Sequence, residues 1–164
     1  MTSTLIVDVV IEVPKGSRNK FEWDPEVQAM RLDRELFTAT RYPADYGYVV
    51  DTRAQDGDPV DALVLLGEPT FPGCHVYSRP LGVFWMADEI GPDAKLLMVP
   101  SGDSRVTWHE LEDVPEALLL EIAHFFEIYK QLEPGKATEV RGWDGRAAAE
   151  REIIAGRERA AGGA

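Results

Sequence analysis

A two-residue alternation near the start of the chain constrains its fold more than any other feature. From residue 5 to residue 13 every second side chain is apolar, while Asp8 and Glu12 share the opposite face. This period is typical of a strand that buries one face. Further short β-rich runs recur along the chain, each bounded by Gly, Pro or Asp: residues 46–50, 62–66, 75–86 and 95–99. Short strands at such spacing predict a small barrel.

Helical patterns begin only in the second half of the chain. Asp113 as an acidic cap, followed by Pro115 in the first turn, predicts that a helix begins there. Glu133 opens a Glu-Pro-Gly run that predicts the end of this helix. We therefore expect Tyr129 and Lys130 to lie in its last turn.

A second helix is predicted from residue 144 to about residue 159, and the small-residue tail at about 160–164 is expected to fray. The chain of 164 residues is long enough to bury a hydrophobic core as one domain. The sequence thus predicts a single domain over residues 1–164, mainly β, with a barrel and two flanking helices.

The charge balance excludes some partners. A net charge of -12 is the opposite of what binding to a nucleic-acid backbone requires. The first residues lack the basic and apolar pattern of a signal peptide, and no stretch is apolar for long enough to span a membrane. The single cysteine, Cys74, cannot form an internal disulfide. We expect no nucleic-acid partner, no membrane partner and a cytoplasmic location.

The most acidic segment lies directly before a predicted strand. Asp56, Asp58 and Asp61 stand in the run Asp-Gly-Asp-Pro-Val-Asp, where three carboxylates repel one another unless a cation compensates them. Taken alone, Asp, Gly and Pro are equally typical of an ordinary turn. A calcium-binding EF-hand loop is excluded, because Val60, Asp61 and Gly67 occupy positions that such a loop reserves for an oxygen ligand, Gly and Glu.

A second acidic segment lies between the predicted strands 75–86 and 95–99. It contains Asp88, Glu89 and Asp93, and it ends with Lys95. By itself this segment favours a solvated turn. Two such segments, together with Glu12 and Glu22 elsewhere, indicate a shared site for a hard cation. Oxygen ligands suit Mg²⁺ or Mn²⁺, and the three histidines lie outside both segments: His75, His109 and His124.

Cations and phenols recur close to these acids. They are Lys20, Arg34, Tyr42, Tyr46, Tyr129 and Lys130. Acids, bases and hydroxyls in this mixture suit a metal-bound phosphate. Each side chain alone also has an ordinary structural role, such as a surface ion pair for Arg34 or packing in the barrel for Tyr42.

Taken together in chain order, these segments closely resemble family I soluble inorganic pyrophosphatases. The likeness includes the Asp56 to Asp61 run and residues 42–48, and it extends through most of the chain: residues 11–14, 20–22, 33–34, 79–80, 88–89, 95, 124–126 and 129–130. The resemblance implies an oligonucleotide-binding-type barrel of five strands with two helices. It also implies a homohexamer that hydrolyses pyrophosphate, taken up as its magnesium complex.

The resemblance assigns roles by position. The expected metal ligands are Asp56, Asp61, Asp88 and Asp93, with Glu12 and Glu22 for a further metal. The expected general base is Asp58. Phosphate-holding positions are Lys20, Arg34, Tyr46, Lys95, Tyr129 and Lys130, with Tyr42 and Glu89 in support. The implied cofactor is Mg²⁺, with several ions in each active site and Mn²⁺ as a possible substitute. The implied reaction is in-line attack on phosphorus by a metal-activated water or hydroxide.

Two departures from the family pattern are visible. Residues 24–29 lack the Gly that many relatives carry in a hairpin turn, and Phe21 replaces a frequent Tyr. Three other functions remain open from the residues alone: a non-catalytic cation-binding module, a nucleic-acid-binding barrel, and a metal-dependent hydrolase of another phosphate compound.

Overall fold

The computed structural model describes residues 4–163. The ends of the expected domain, residues 1–3 and 164, lie outside the described residues. Within the described residues, eight strands and two α-helices follow one another: β1 Val7–Val13, β2 Asn19–Asp24, β3 Ala29–Glu35, β4 Asp45–Val49, β5 Asp61–Val64, β6 His75–Asp88, β7 Pro92–Pro100, α1 Glu116–Ile128, β8 Thr138–Gly145 and α2 Arg146–Gly162. Neither α1 nor α2 is both long and apolar enough to cross a membrane.

Five of the strands close into a barrel in the order β1-β4-β5-β7-β6, with β6 pairing back onto β1. Neighbouring strands are antiparallel except β5 and β7, which run parallel. β8 extends the sheet beyond β6. The closed ring of five strands with two helices confirms the predicted fold class, a barrel of the oligonucleotide-binding type.

The alternation in β1 is the physical basis of its place in the barrel. Val7, Val9, Ile11 and Val13 are all buried, and Glu12 is only partly buried. β4 approaches β1 so closely at Gly47 that a Cβ atom there would lie 1.8 Å from the backbone oxygen of Val10. Only glycine fits this crossing.

The first helix begins later than predicted. Asp113 does not cap α1, because its carboxylate accepts hydrogen bonds from the backbone N–H groups of His109 and Glu110, at 2.8 and 3.0 Å, around a 3₁₀ turn. Val114 precedes a proline and is extended, with φ -78° and ψ 132°, so the helix can begin only after Pro115. At the other end α1 stops at Ile128, so neither Tyr129 nor Lys130 lies in its last turn as predicted. Tyr129 is the C-cap of the helix, and Lys130 lies in the turn that follows.

The second helix also differs at both ends. Asp144, the predicted start, belongs to β8, where its carboxylate accepts a hydrogen bond of 2.7 Å from Trp85 Nε1. The tail expected to fray from about residue 160 is helical through Gly162. α2 packs on the barrel through Ala149, Ile153 and Gly156. The close approach at Gly156 explains the glycine, since a Cβ atom there would lie 2.8 Å from Val60 Cγ2.

Strands β2 and β3, which flank the turn at residues 24–29, were not predicted from the residue pattern, and they make their own two-stranded sheet beside the barrel. Most of its side chains are at least partly exposed on both faces, so no alternation marks it in the sequence. Its turn contains no glycine, and Gln28 takes the left-handed conformation that a glycine would otherwise provide, with φ 54°. Two hydrogen bonds hold this turn, from Gln28 Nε2 to the Pro25 oxygen at 2.8 Å and from Glu26 N to Asp24 Oδ1 at 2.9 Å.

Candidate functional site

Lys95 stands at the centre of a buried cluster of polar groups. The parallel pairing of β5 and β7 places it opposite Asp61, and Asp93 lies on the same face two residues earlier on β7. Lys95 Nζ lies 2.7 Å from Asp61 Oδ2 and 2.8 Å from Asp93 Oδ2, and it donates a hydrogen bond of 2.8 Å to the Tyr46 hydroxyl. The lysine is only 2% exposed, so its charge needs these oxygens.

The charges in this cluster perturb one another. Burial raises the pKa of Asp93 to about 6, because the attraction of Lys95 is insufficient to offset burial and the repulsion of Asp61. Burial also lowers the pKa of Lys95, but Asp61, Tyr46 and Asp93 together hold it well above its ordinary value. The lysine therefore stays charged, and burial disfavours the charged form of the Asp93 carboxylate.

A second group of charges lies on the hairpin. Lys20 Nζ on β2 contacts Glu22 Oε1 at 2.7 Å and Asp33 Oδ2 at 3.3 Å. Arg34 Nη1 on β3 contacts the same Asp33 oxygen at 2.5 Å, and Arg34 Nε pairs with Glu133 beyond the end of α1. Two cations of the hairpin are thus fixed side by side through one carboxylate.

Glu12 connects the barrel to the hairpin. Its Oε2 accepts a hydrogen bond of 2.9 Å from the backbone N–H of Trp23. Burial raises the pKa of Glu12 to about 7; the Trp23 hydrogen bond and Lys20 oppose this shift, while Asp61 and Glu22 add to it. The carboxylate therefore lies within electrostatic range of both the barrel cluster and the hairpin.

The loop before β5 presents Asp58 to solvent. Asp56 Oδ1 accepts a hydrogen bond of 3.0 Å from the Asp58 backbone N–H, and Gly57 between them has φ 94°, a conformation that favours glycine. Burial raises the pKa of Asp58, and the charges of Asp56 and then Glu22 add to the increase. The Asp58 carboxylate therefore binds a proton more readily than an ordinary aspartate does.

The second acidic segment is organised around Lys130. Its Nζ lies 3.6 Å from Asp88 Oδ2 and 3.3 Å from Glu89 Oε2. Asp88 Oδ1 also accepts hydrogen bonds from the backbone of Ile90 and Gly91, at 2.9 and 3.1 Å, within the turn between β6 and β7. Burial raises the pKa of Glu89, but backbone hydrogen bonds and Lys130 together lower it to about 2.

Buried aromatic rings lie beside these charges: Tyr42 before β4, Tyr46 on it, Phe125 and Phe126 on α1, and Tyr129 at its end. Tyr42 packs against Phe125 and Tyr46 with ring centroids 4.7 and 5.4 Å apart, and Phe126 packs against Tyr129 at 5.6 Å. Lys95 Nζ lies 5.1 Å from the centre of the Tyr46 ring and 5.3 Å from that of Phe126. The rings give the lysine a rigid apolar surround in which its charge is weakly screened.

This fold and this site have counterparts among known proteins. The family model described as inorganic pyrophosphatase matches residues 9–161, which is most of the chain. The chain belongs to the inorganic pyrophosphatase family. The sequence resemblance to family I of these enzymes is confirmed.

Individual members of the family are similar over nearly their whole length. The inorganic pyrophosphatase of Streptomyces coelicolor is 58% identical over 147 residues, which cover 89% of this chain and 90% of that protein. That of Leifsonia xyli is 53% identical, with coverage of 91% and 92%. The crystal structure of the inorganic pyrophosphatase from Thermus thermophilus superposes with a TM-score of 0.93 at 48% identity, covering 96% of this chain and 92% of that one.

Within this family fold, the residues predicted from sequence fall into neighbouring groups. The barrel cluster holds Asp61, Asp93, Lys95 and Tyr46, while Lys130 holds Asp88 and Glu89 separately. Among residues 4–163, no three His, Cys, Asp or Glu side chains form a ready-made metal cluster. A cavity of about 360 Å³ elsewhere, between the end of β5 and residues 105–108, is lined by none of the predicted site residues.

The histidines are absent from these groups, as predicted. His109 and His124 are exposed, and the exposed His75 pairs with Asp8 at 2.9 Å. The carboxylates that remain supply only oxygen ligands, which Mg²⁺ and Mn²⁺ prefer. Burial is the largest cause of the raised pKa values of Glu12, Asp58 and Asp93, and neighbouring carboxylates add to it, so a divalent cation would favour their charged forms. The residues present therefore fit a hard metal ion.

Sequence reasoning missed one charged residue beside the site. Glu133 was interpreted only as part of a helix stop, yet it is 7% exposed and pairs with Arg34. No local pattern could have revealed this pair, because the two residues lie on different elements far apart in the chain. The Glu-Pro-Gly run is an ordinary helix terminus until the fold is known.

Proposed function

We propose that this chain is an inorganic pyrophosphatase that hydrolyses pyrophosphate to two orthophosphates in a magnesium-dependent reaction. The observation that carries the proposal is the arrangement around Lys95, where a buried cation is shared by Asp61, Asp93 and the Tyr46 hydroxyl. The printed names of relatives that are 58% and 53% identical support the same activity.

The proposed ligands for Mg²⁺ are Asp56, Asp61, Asp88 and Asp93, with Glu12 and Glu22 serving a further ion. The ions supply positive charge that neutralises pyrophosphate and lowers the pKa of water, and Mn²⁺ can replace them. The carboxylates provide oxygen ligands from several elements. Glu12 is on β1 and Glu22 on β2, Asp56 lies before β5 and Asp61 on it, and Asp88 and Asp93 lie at the facing ends of β6 and β7. This distribution suits several ions in one site.

Asp58 is the proposed general base. Its carboxylate is exposed, and its raised pKa favours acceptance of a proton from the attacking water. Because phosphoryl transfer spreads negative charge over the departing oxygens, the fixed cations Lys20, Arg34, Lys95 and Lys130 stabilise that charge. The Tyr46 and Tyr129 hydroxyls hold phosphate oxygens. Tyr42 and Glu89 support the site, because Tyr42 packs against Tyr46 and Glu89 pairs with Lys130.

The proposed protein is a single-domain cytoplasmic enzyme that assembles as a homohexamer and takes up pyrophosphate as its magnesium complex. Large apolar side chains on the surface are consistent with contacts between copies, since Leu120 and Leu132 near α1 are both 63% exposed. Light scattering measures the assembly directly, and a monomer in solution would contradict the hexamer.

A phosphate-release assay tests the activity. The purified protein is given pyrophosphate, a nucleoside triphosphate or a phosphomonoester, each with Mg²⁺ and with EDTA. Release from pyrophosphate alone, and only with Mg²⁺, is the expected result. Preferential release from another substrate would identify a different phosphate hydrolase, and no release from any substrate would favour a non-catalytic cation-binding module.

A further inference from the structure

Glu133 is a buried carboxylate on the turn that carries Lys130. Its backbone N–H donates a hydrogen bond of 3.0 Å to the Lys130 oxygen, and its side chain is 6% exposed. One oxygen, Oε1, pairs with Arg34 Nε, while Oε2 is buried without a hydrogen-bond partner among residues 4–163. Burying a carboxylate with one unpaired oxygen costs folding free energy. A role other than stability would explain why the charge is there.

Arg34 is held from two sides. Glu133 Oε1 forms an ion pair with its Nε atom, which makes no hydrogen bond among residues 4–163, and Asp33 Oδ2 accepts a hydrogen bond of 2.5 Å from its Nη1 atom. Neither contact uses Nη2. Because a guanidinium is planar and rigid, two fixed nitrogens determine the direction of the third. Burial lowers the pKa of Arg34, but Glu133 and then Asp33 raise it above its ordinary value, which agrees with a closely bound pair.

Contacts with the rest of the chain hold the hairpin that carries Arg34. Within residues 4–163 β2 and β3 pair with each other alone, and an isolated two-stranded hairpin is marginally stable. Glu12 connects β2 to the barrel, whereas Arg34 is on β3. Asp33 lies on the same strand as Arg34, so it cannot connect Arg34 to the barrel. Glu133 can, since it belongs to the turn that follows α1 and also contains Lys130.

We propose that Glu133 is a positioning residue, which fixes the Arg34 guanidinium against the turn of Lys130 so that both cations meet the same pyrophosphate. This inference rests on the proposed function. An apolar side chain at position 133 would avoid the free-energy cost of burying a charge. The ion pair with Arg34 therefore explains why position 133 holds a glutamate.

A double-mutant cycle tests the proposal, using steady-state kinetics with pyrophosphate and Mg²⁺ and a thermal melt of each variant. Glu133→Gln keeps the shape of the side chain and removes its charge. We expect it to lower kcat/KM about tenfold, mainly through KM, and to change kcat/KM less than about twofold in an Arg34→Ala background. The matched control Glu139→Gln removes a carboxylate whose side chain is 70% exposed, and it should leave both kcat and KM unchanged.

Other outcomes separate this inference from the proposed function. If the wild-type protein does not hydrolyse pyrophosphate, both fail. If it does, but Glu133→Gln lowers kcat/KM by the same factor with and without Arg34, only the inference fails. If Arg34→Ala is fully active, the inference fails and Arg34 loses its proposed role in stabilising charge, while the proposed pyrophosphatase activity stands. Should Glu133→Gln give no folded protein, Glu133→Asp repeats the cycle with the charge kept and the reach shortened. Failure of both variants to fold would make Glu133 a folding residue and overturn the inference.

Discussion

Replacing Lys95 by methionine tests the electrostatic account of the barrel cluster. Methionine fills a similar volume but leaves Asp61 and Asp93 facing each other without their shared cation. The Lys95 side chain is only 3% exposed, so solvent screens the loss weakly. Removing one partner of a buried ion pair costs about 3–5 kcal/mol. We expect the lower end, because the Asp61 side chain is 25% exposed and because the loss of the Lys95 charge, which lowers the pKa of Asp93, makes this carboxylate easier to protonate.

A loss of about 3 kcal/mol corresponds to a fall in Tm of roughly 6–12 °C for a chain of this size. Urea titration and thermal melting in EDTA at pH 8 measure both quantities. Lys136→Met is the matched control, because Lys136 is 41% exposed and lies 3.4 Å from Glu89. A surface pair of that kind contributes at most about 1 kcal/mol. If Lys95→Met lost no more than this control, Lys95 would not be the group that neutralises the two aspartates.

Three further predictions concern catalysis, packing and the metal. Asp58→Asn should fold normally yet lose at least about 100-fold in kcat, the usual contribution of a general base. The control Asp103→Asn should keep its kcat. Near-normal turnover of Asp58→Asn would remove Asp58 from that role. Gly47→Ala should destabilise the protein by about 2 kcal/mol or more in urea titration, because its Cβ atom would lie 1.8 Å from the Val10 oxygen. The control Gly67→Ala should be nearly neutral, because a Cβ atom there has no neighbour within 4 Å. Mg²⁺ at about 100 times its Kd should stabilise the fold by about 2.7 kcal/mol, and an unchanged melting curve at millimolar Mg²⁺ would contradict the metal site.

Local patterns in the sequence determined most of the barrel. The alternation at residues 5–13 predicted β1, and the apolar runs predicted four further strands, because a two-residue period is a property of neighbouring residues. The same local information failed for β2, β3 and β8, whose side chains are largely exposed or only partly buried. It also misplaced the start of α1, where Pro115 delays the helix and Asp113 closes a turn of its own.

The sequence by itself determined which kinds of group are present: crowded carboxylates, cations and phenols in an order that resembles one family. Only the tertiary structure decided which charge neutralises which. Lys95 meets Asp61 because β5 and β7 pair in one register when the barrel closes, and Glu133 meets Arg34 because the end of α1 lies against the hairpin. Contacts of this kind depend on closing the whole sheet, and no short stretch of residues contains that information.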